Sequence, residues 1–458
     1  MKTFDEVTRI HCVGIKGAGV SGLATILQKK GKKVCGSDVD ETFFTDDILD
    51  THRIPCEQFS SAHIEHDNLD CIIYSTAWKE SDEVSVARKR GIPVLSYPEA
   101  LGILLNSATG IAVAGSHGKT TTTGMLTHVL KAAGCDPTAL IGSTLSGYGS
   151  NAFAGTSPTV VIEADEYENK FQYYHPRALL LTNVDYDHPD YFSTSEEYDA
   201  VFEVFIRKTI SESGVVVVCG DDPGVGRVCH QDNAKSIIRY GTHTDFPYTV
   251  SAIEVDGPSV RYTLMRRGEN CGRYSLQMIG THNVLNALGV IALCDTLGLV
   301  DVVLAAQLLE GFKGTTRRFE YKGERGNIHV YDDFAHHPRE VVVTLDAVRA
   351  SFPSARIWCV FGSHTYSRTK ELLDDFAEAF ASVAAVLILD IYGSAREEQG
   401  GIHGRDLADA IDAVSSNARY VGTHAAALQE ITAHIDEIDV LITMGAGDVW
   451  RIAEKFLK

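Results

Sequence analysis

In "IAVAGSHGKTTTTGML", residues 111–126, a short apolar run meets a glycine-rich turn, and the segment after it opens on Lys119 and four threonines. Small residues at such a turn let backbone N–H groups wrap a phosphate, the lysine supplies a point charge, and the Thr120 hydroxyl can reach a magnesium ion. The continuation "KTTTTGMLTHVLKAAG" reads as a helix stopped by Gly134, so the positive end of its dipole faces the same phosphate. The widespread loop G-x-x-x-x-G-K-[ST] has its first glycine at the position of Val113, whereas this chain has Gly115 two residues later. Nucleotide triphosphate binding is expected at Gly115, Ser116, His117, Gly118, Lys119, Thr120 and Thr121.

A phosphate loop that transfers or hydrolyses needs a carboxylate for its metal, usually at the end of a neighbouring strand. "TVVIEADEYENKF" ends a strand-like run with Glu163, Asp165 and Glu166, and "ALLLTNVDYDHPDYF" carries Asp185, Asp187 and His188 past another. Ligands of open α/β sheets sit at the carboxyl ends of strands, so both clusters can converge beside Lys119. In "GTHNVLNALGVIALCDTLG", Asn283 and Asn286 follow His282 at a helix start, where asparagine either caps the helix or reaches a base or ribose. "VGIKGAGVSGLATIL" holds G-x-G-x-x-G at Gly17, Gly19 and Gly22, with Asp38 about 20 residues on. Its physical content is a pyrophosphate at a helix N-terminus, which NAD and a UDP-sugar both satisfy. Further on, "YDDFAHHPRE" (Asp332, Asp333, His336, His337) and "VFGSHTYSRTKE" (His364, Tyr366, Arg368) each follow an apolar run. Adjacent histidines point in different directions, so these read as polar strand ends facing a cleft and not as one metal site. "MGAGDVW" is another Gly-rich helix start, or simply a tight turn needing small residues.

Strands must aim these groups, and "IHCVGI", "CIIYST", "IAVAG", "TVVIEAD", "ALLLTNV", "GVVVVCG", "RIWCVFG", "AVLILDIY" and "DVLITMGAG" alternate with helical patterns. Fully apolar runs of this kind suit parallel strands covered by helices on both faces, which makes the class α/β. At 458 residues and about 100 to 200 residues per domain, roughly three domains are expected. The breaks fall at 1–106, 107–314 and 315–458, and the middle part includes a more polar, antiparallel stretch, residues 248–280. A net charge of −20 disfavours nonspecific nucleic-acid binding, which needs clustered Lys and Arg. No apolar run approaches the roughly 20 residues that cross a bilayer and no signal peptide is evident, so a cytoplasmic location is expected. The ten cysteines lack a C-x-x-C pair and read as buried, reduced thiols. Nothing in the sequence chooses between monomer and dimer.

The order of "GSHGKTTTT", "EADE", "NVDYDHPDYF", "GTHNVLNA", "TTRRFE", "YDDFAHHP" and "HTYSRT" behind the G-x-G unit resembles the Mur ligases over essentially the full length. Those enzymes and the similar folylpolyglutamate synthases carry the shorter loop G-[ST]-x-G-K-[ST], which accounts for Val113. The resemblance implies a Rossmann-like N-terminal domain for UDP-N-acetylmuramate, a central P-loop ATPase-like domain, and a Rossmann-like C-terminal domain that closes with the amino acid. ATP would phosphorylate the substrate carboxylate, L-alanine would attack the acyl phosphate, and an amide, ADP and phosphate would result. Lys119, Glu163, His188 and His336 are the implied catalytic residues; Thr120, Glu163 and His188 would hold two Mg²⁺ ions, which Mn²⁺ can replace. Asn283, Arg318 and Asp333 would serve ATP; Gly17, Ala18, Gly19, Ser37, Asp38, Ser75 and Thr76 the UDP-sugar; His364, Tyr366 and Arg368 the amino acid and acyl phosphate.

Two departures stand out: Ser116 replaces the family's threonine in G-T-H, and "GSH" before His364 replaces Q-P-H. The alanine-adding branch lacks the carbamylated lysine of other Mur ligases, and no lysine here matches it. "EADEYENKFQYYHPRALLLTNVDYDHPDYF" and "DIYGSAREEQGG" look like that branch in its Gram-positive form. The alternatives are a murein tripeptide recycling ligase on the same nucleotide sugar and, from other classes, an NAD-dependent redox enzyme or a nucleotide-binding regulator.

Overall fold

The computed structural model describes residues 3–41, 43, 45–66, 68–189, 191–229, 236–393 and 400–458. Half of the stretch "DIYGSAREEQGG", residues 394–399, lies outside them, as does Asp190 of "NVDYDHPDYF". The chain divides into two compact units, one of Met1–Asp185, Asp199–Pro247 and Gly289–Leu308, the other of Tyr186–Tyr198, Tyr248–Leu288 and Leu309–Lys458. Asp187 and His188 thus belong to the second unit, although β-structure preceding them belongs to the first.

The first unit holds two sheets. In one, β1 (Arg9–Val13), β2 (Lys33–Asp38), β3 (Cys56–Gln58), β4 (Cys71–Tyr74) and β5 (Val94–Ser96) run parallel in the order β3-β2-β1-β4-β5. This order reverses between β1 and β4, the place where doubly wound sheets bind their ligands. The other sheet is built of β6 (Thr109–Ala114), β7 (Thr138–Leu145), β8 (Ser150–Phe153), β9 (Thr159–Glu163), β10 (Ala178–Leu181), β11 (Val215–Cys219) and β12 (Ile237–Gly241). Its order is β12-β11-β10-β6-β9-β7-β8, with only the β7–β8 hairpin antiparallel. Ile111 to Ala114, Val160 to Ile162 and Leu179 to Leu181 are buried throughout, as runs covered on both faces must be. Register does the positioning: Val113 pairs with Glu163 on one side, and Ala114 pairs with Leu181 on the other. Both acidic strand ends therefore flank the phosphate loop.

The second unit contains the antiparallel meander β13 (Tyr248–Asp256), β14 (Ser259–Arg266) and β15 (Glu269–Leu276). Alternating burial along β14 fits a sheet with one covered face. Its six-stranded sheet joins β16 (Glu320–Arg325), β17 (Ile328–Asp333), β18 (Ile357–Gly362), β19 (Ala385–Leu389), β20 (Ala418–Gly422) and β21 (Val440–Gly445). The order is β16-β17-β21-β18-β19-β20, parallel except for the edge strand β16. Two apolar cores cover it, one around Ile357, Phe361, Phe376 and Ile442, the other around Trp358, Leu387, Leu441 and Phe456.

All ten cysteines are free thiols, and burial pushes those of Cys71, Cys219 and Cys294 up to about 12, which keeps them protonated and unreactive. Among the described residues no helix is long and apolar enough to cross a membrane.

Candidate active site

The phosphate loop leaves β6 at Gly115, whose φ is +141°, and reaches the helix Lys119–Ala132 through Gly118 at φ +77°. A Cβ on Gly115 would stand 2.1 Å from the Thr182 hydroxyl, so only glycine fits. The residues after β10 clamp the loop. Thr182 and Asn183 donate to the His117 carbonyl (2.7 and 2.9 Å), and the His117 N–H donates to Asn183 Oδ1 (2.8 Å). The Ser116 hydroxyl donates to the Asp185 carbonyl and accepts from the Asp185 N–H, both at 2.7 Å. Asp185 Oδ2 lies 3.1 Å from His117 Nε2. Asp185, which its sequence position offers as a metal carboxylate, thus shapes the loop.

Lys119 Nζ donates to the Gly115 carbonyl (2.6 Å), the Ser116 carbonyl (3.2 Å) and Glu166 Oε2 (2.8 Å). Burial acts to lower the lysine, but the charges of Glu166 and Asp165 outweigh it and hold it above the ordinary range, so it stays an ammonium. Glu166, one of the three carboxylates that "EADE" offers to a metal, is wholly buried and holds the lysine instead. Glu163 accepts the Thr120 hydroxyl on Oε1 (2.8 Å) and the Gly142 N–H on Oε2 (2.7 Å). A hydroxyl and a carboxylate side by side, next to a fixed ammonium, are the hard oxygen donors that Mg²⁺ takes beside a triphosphate. The residues present fit that ion.

At the first sheet, Gly17 precedes the helix Ala18–Lys29, and Asp38 accepts the Lys16 and Val39 N–H groups (2.7 and 2.8 Å). Burial raises the Asp38 carboxyl against those two donors. Ser75 and Thr76 lie half-buried after β4. Ser37, expected to serve the UDP-sugar, is fully buried; its hydroxyl donates to Glu83 (2.5 Å) and lies 3.2 Å from His11 Nε2. That network ties β1, β2 and the helix Asp82–Lys89 together and leaves the hydroxyl committed internally. Gly22 packs against a different sheet, since a Cβ there would meet Leu140 of β7 at 2.4 Å.

In the second unit, the Asn283 amide donates to the Ile279 carbonyl (2.8 Å) and its oxygen accepts from Asn286 (3.3 Å), a buried local pair at the start of the helix Thr281–Thr296. Asp333 accepts the Phe319 and Ala335 N–H groups (2.6 and 2.8 Å). Burial pushes its carboxyl up to about 6 despite Arg318 and those two donors. Arg318 lies over the Phe334 ring, whereas Arg317 holds Asp332 (2.9 Å) and the Gly445 and Gly447 carbonyls (2.6 and 2.8 Å). "MGAGDVW" is accordingly a turn fastened by Arg317.

His337 caps the helix Pro338–Ser351, and Glu340 accepts the N–H groups of both histidines. His336 lies edge-on to His364 with ring centres 5.8 Å apart, and burial, then Arg368 and His364, outweigh Glu340 and push it down to about 3. It is neutral at physiological pH. Arg368 donates to Asp187 Oδ1 from Nη2 and Nε (2.9 and 3.3 Å) and lies 3.3 Å from His364 Nδ1 through Nη1. Burial would raise the Asp187 carboxyl, but Arg368 and the nearby histidines hold it far below the ordinary range. The His188 N–H donates to Asp187 (2.6 Å), and His188 itself sits at φ +58°. Tyr366 opens the helix Tyr366–Glu371 that carries Arg368.

A phosphate loop with a lysine, a hydroxyl–carboxylate pair for a metal, a dinucleotide-type sheet and a further α/β sheet with buried His and Arg define an ATP-using α/β enzyme of three domains. Three family descriptions match in chain order: "Mur ligase family, catalytic domain" over residues 9–109, "Mur ligase middle domain" over 113–294, and "Mur ligase, glutamate ligase domain" over 317–447. The chain belongs to the Mur ligases, a family of ATP-dependent ligases. It is 38% identical to a UDP-N-acetylmuramate–L-alanine ligase of Desulfitobacterium hafniense, over 98% of this chain and 99% of the relative. The enzyme of the same name from Rubrobacter xylanophilus is 37% identical over 98% of this chain and 99% of its own. Among solved structures, the UDP-N-acetylmuramate–alanine ligase of Thermotoga maritima superposes with a TM-score of 0.81 at 27% identity, covering 98% of each chain. A murein peptide ligase of Psychrobacter arcticus gives 0.71 at 26%, again over 98% of each.

Proposed function

We propose that this protein joins L-alanine to the carboxylate of UDP-N-acetylmuramate at the expense of ATP, a cytoplasmic step in making peptidoglycan precursors. The observation that carries the reading is end-to-end similarity at 38% identity to a ligase of that name, with the phosphate loop and Glu163 intact. Domain limits at 106/107 and 314/315 accompany it.

In this reading a carboxylate oxygen of the sugar attacks the γ-phosphorus and ADP leaves. The alanine nitrogen then attacks the acyl carbon, loses its proton and expels phosphate. Lys119, fixed by Glu166 and two loop carbonyls, neutralises charge on the transferring phosphoryl group. Gly115, Ser116, His117, Gly118, Thr120 and Thr121 surround the phosphates. Thr120 and Glu163 would hold Mg²⁺, which supplies charge neutralisation where two anions meet. Neutral His336 neighbours the incoming amine without repelling its ammonium form. Arg318 and Asp333 would serve phosphate and ribose.

The rival is tripeptide ligation to the same nucleotide sugar, supported by the murein peptide ligase with a TM-score of 0.71. The alanine reading is favoured by the higher score, 0.81, of the alanine enzyme. Phosphate release by purified protein with ATP, UDP-N-acetylmuramate and either L-alanine or the tripeptide decides between them. Turnover with the tripeptide and none with L-alanine would overturn the choice.

A further inference from the structure

The glycine-rich turn of the first sheet ends against a side chain that its motif does not contain. Tyr97 opens the helix Tyr97–Asn106 immediately after β5. Its ring and hydroxyl fill the space a side chain on Gly19 would need, with the hydroxyl oxygen 2.6 Å from where a Cβ would stand. The helix start is stiff: Ser96 and Glu99 form a capping box, with the Ser96 hydroxyl and N–H donating to Glu99 (2.6 and 2.7 Å), and Pro98 follows. The phenol is therefore held in place before any ligand arrives.

The charges of Glu163 and Asp165 also act on the phenol. Burial first, then these two charges, push it well above its ordinary value, so the hydroxyl keeps its proton. Tyr97 is only half-buried, and among the described residues its hydroxyl makes no hydrogen bond to protein. A neutral donor suits this place, because a second carboxylate would repel an anionic substrate and a cation would compete for Glu163.

We infer that the Tyr97 hydroxyl donates a hydrogen bond to the nucleotide-sugar substrate, on the stretch between the diphosphate at Gly19 and the reacting carboxylate near Glu163. This rests on the proposed function, and it makes Tyr97 a binding residue for the sugar moiety and not for the uridine diphosphate. It also gives Gly19 a second duty, since any larger residue would displace the phenol.

The test uses the full chain and calorimetric titration with UDP-N-acetylmuramate and with UDP alone. Tyr97→Phe keeps the ring against Gly19 and removes only the donor. The Kd for UDP-N-acetylmuramate should rise about tenfold, as loss of one hydrogen bond to a polar or charged group does. The Kd for UDP should stay within twofold, which also shows that the domain remains folded. In steady state the KM for the nucleotide sugar should rise in parallel while that for ATP stays within twofold. An unchanged Kd for UDP-N-acetylmuramate, or an equal loss for UDP, overturns the inference. Failure of the unaltered protein to use UDP-N-acetylmuramate with either amine would remove the proposed function, and the inference with it, before any variant is read.

Discussion

Lys119 Nζ lies 2.8 Å from Glu166 Oε2, and the Glu166 side chain is entirely shut off from water. A buried ion pair of this kind is worth little over an apolar pair, but breaking it strands one charge, at about 3–5 kcal/mol. Its value here is directional, because it fixes the ammonium over the loop. Glu166→Gln is expected to lower kcat at least tenfold and to lower the unfolding temperature by several degrees. Steady-state ADP formation and a thermal melt check both; a variant as fast and stable as the parent would refute the positioning role.

Lys119→Ala and Glu163→Ala should each reduce ADP formation by about 100-fold or more while the protein stays folded, since each removes charge stabilisation at the phosphoryl group. Circular dichroism and a coupled ADP assay report the two halves of this expectation. Retained turnover in either variant would sink the mechanism.

At Gly115 a methyl group has nowhere to go, for Thr182 Oγ1 occupies its place at 2.1 Å and φ is +141°. Gly115→Ala must therefore shift the loop away from β10. A rise of at least tenfold in the KM for ATP is expected, and Thr182→Ser should be nearly silent because it keeps the hydroxyl.

The pair Asp187–Arg368 predicts non-additivity. Arg368→Ala and Asp187→Ala each strand a buried charge, so each alone should lower the unfolding temperature, and the double variant should be no worse than the poorer single one. Arg368→Lys replaces the planar fork of two nitrogens by a single ammonium nitrogen and should not restore the parent's behaviour. Additive losses in the melts would show that the two residues act independently.

Acid should destabilise the fold through its depressed histidines. Burial pushes His282 down to about 4 and His336 to about 3, while in the unfolded chain both titrate near 6.5. The unfolded state thus binds more protons below about pH 6.5, and the stability these neutral rings contribute is lost as pH falls toward 4 and then 3. Asp333, pushed up to about 6, has the opposite sign and weakens the fold as pH rises from about 4 to 6. Unfolding temperature plotted against pH should fall less steeply below pH 6.5 in His282→Gln and more steeply in Asp333→Asn. Parallel curves for parent and variants would contradict both assignments.

The phosphate loop was readable in "GSHGKTTTT" because its chemistry is local: backbone amides, a lysine and a hydroxyl that are neighbours along the chain remain neighbours in space. The apolar runs named the parallel strands for a similar reason, since a strand covered on both faces has no polar side to display. The order of the motifs then carried the family. Less was legible within each motif. "EADE" offers three carboxylates, and only packing shows that Glu163 meets Thr120 while Glu166 meets Lys119. "TTRRFE" offers two arginines, and only the turn at Gly445 and Gly447 shows that Arg317 is a fastener.

Ser37 and Tyr97 mark the same boundary from both sides. Ser37 stands at a strand end beside Asp38 and reads as a ligand contact, yet its hydroxyl is consumed by Glu83 from a helix 46 residues away. Tyr97 has no motif at all and reaches Gly19 across the fold. Types, spacing and periodicity settle which chemistry the chain carries and which segments become strands or helices, because these follow from covalent neighbourhood and from the demand that apolar faces be covered. Pairings such as Asp187 with Arg368, 181 residues apart, arise only when whole sheets pack. Burial then sets the strength of each charge, and that quantity belongs to the assembled interior and to no single stretch of sequence.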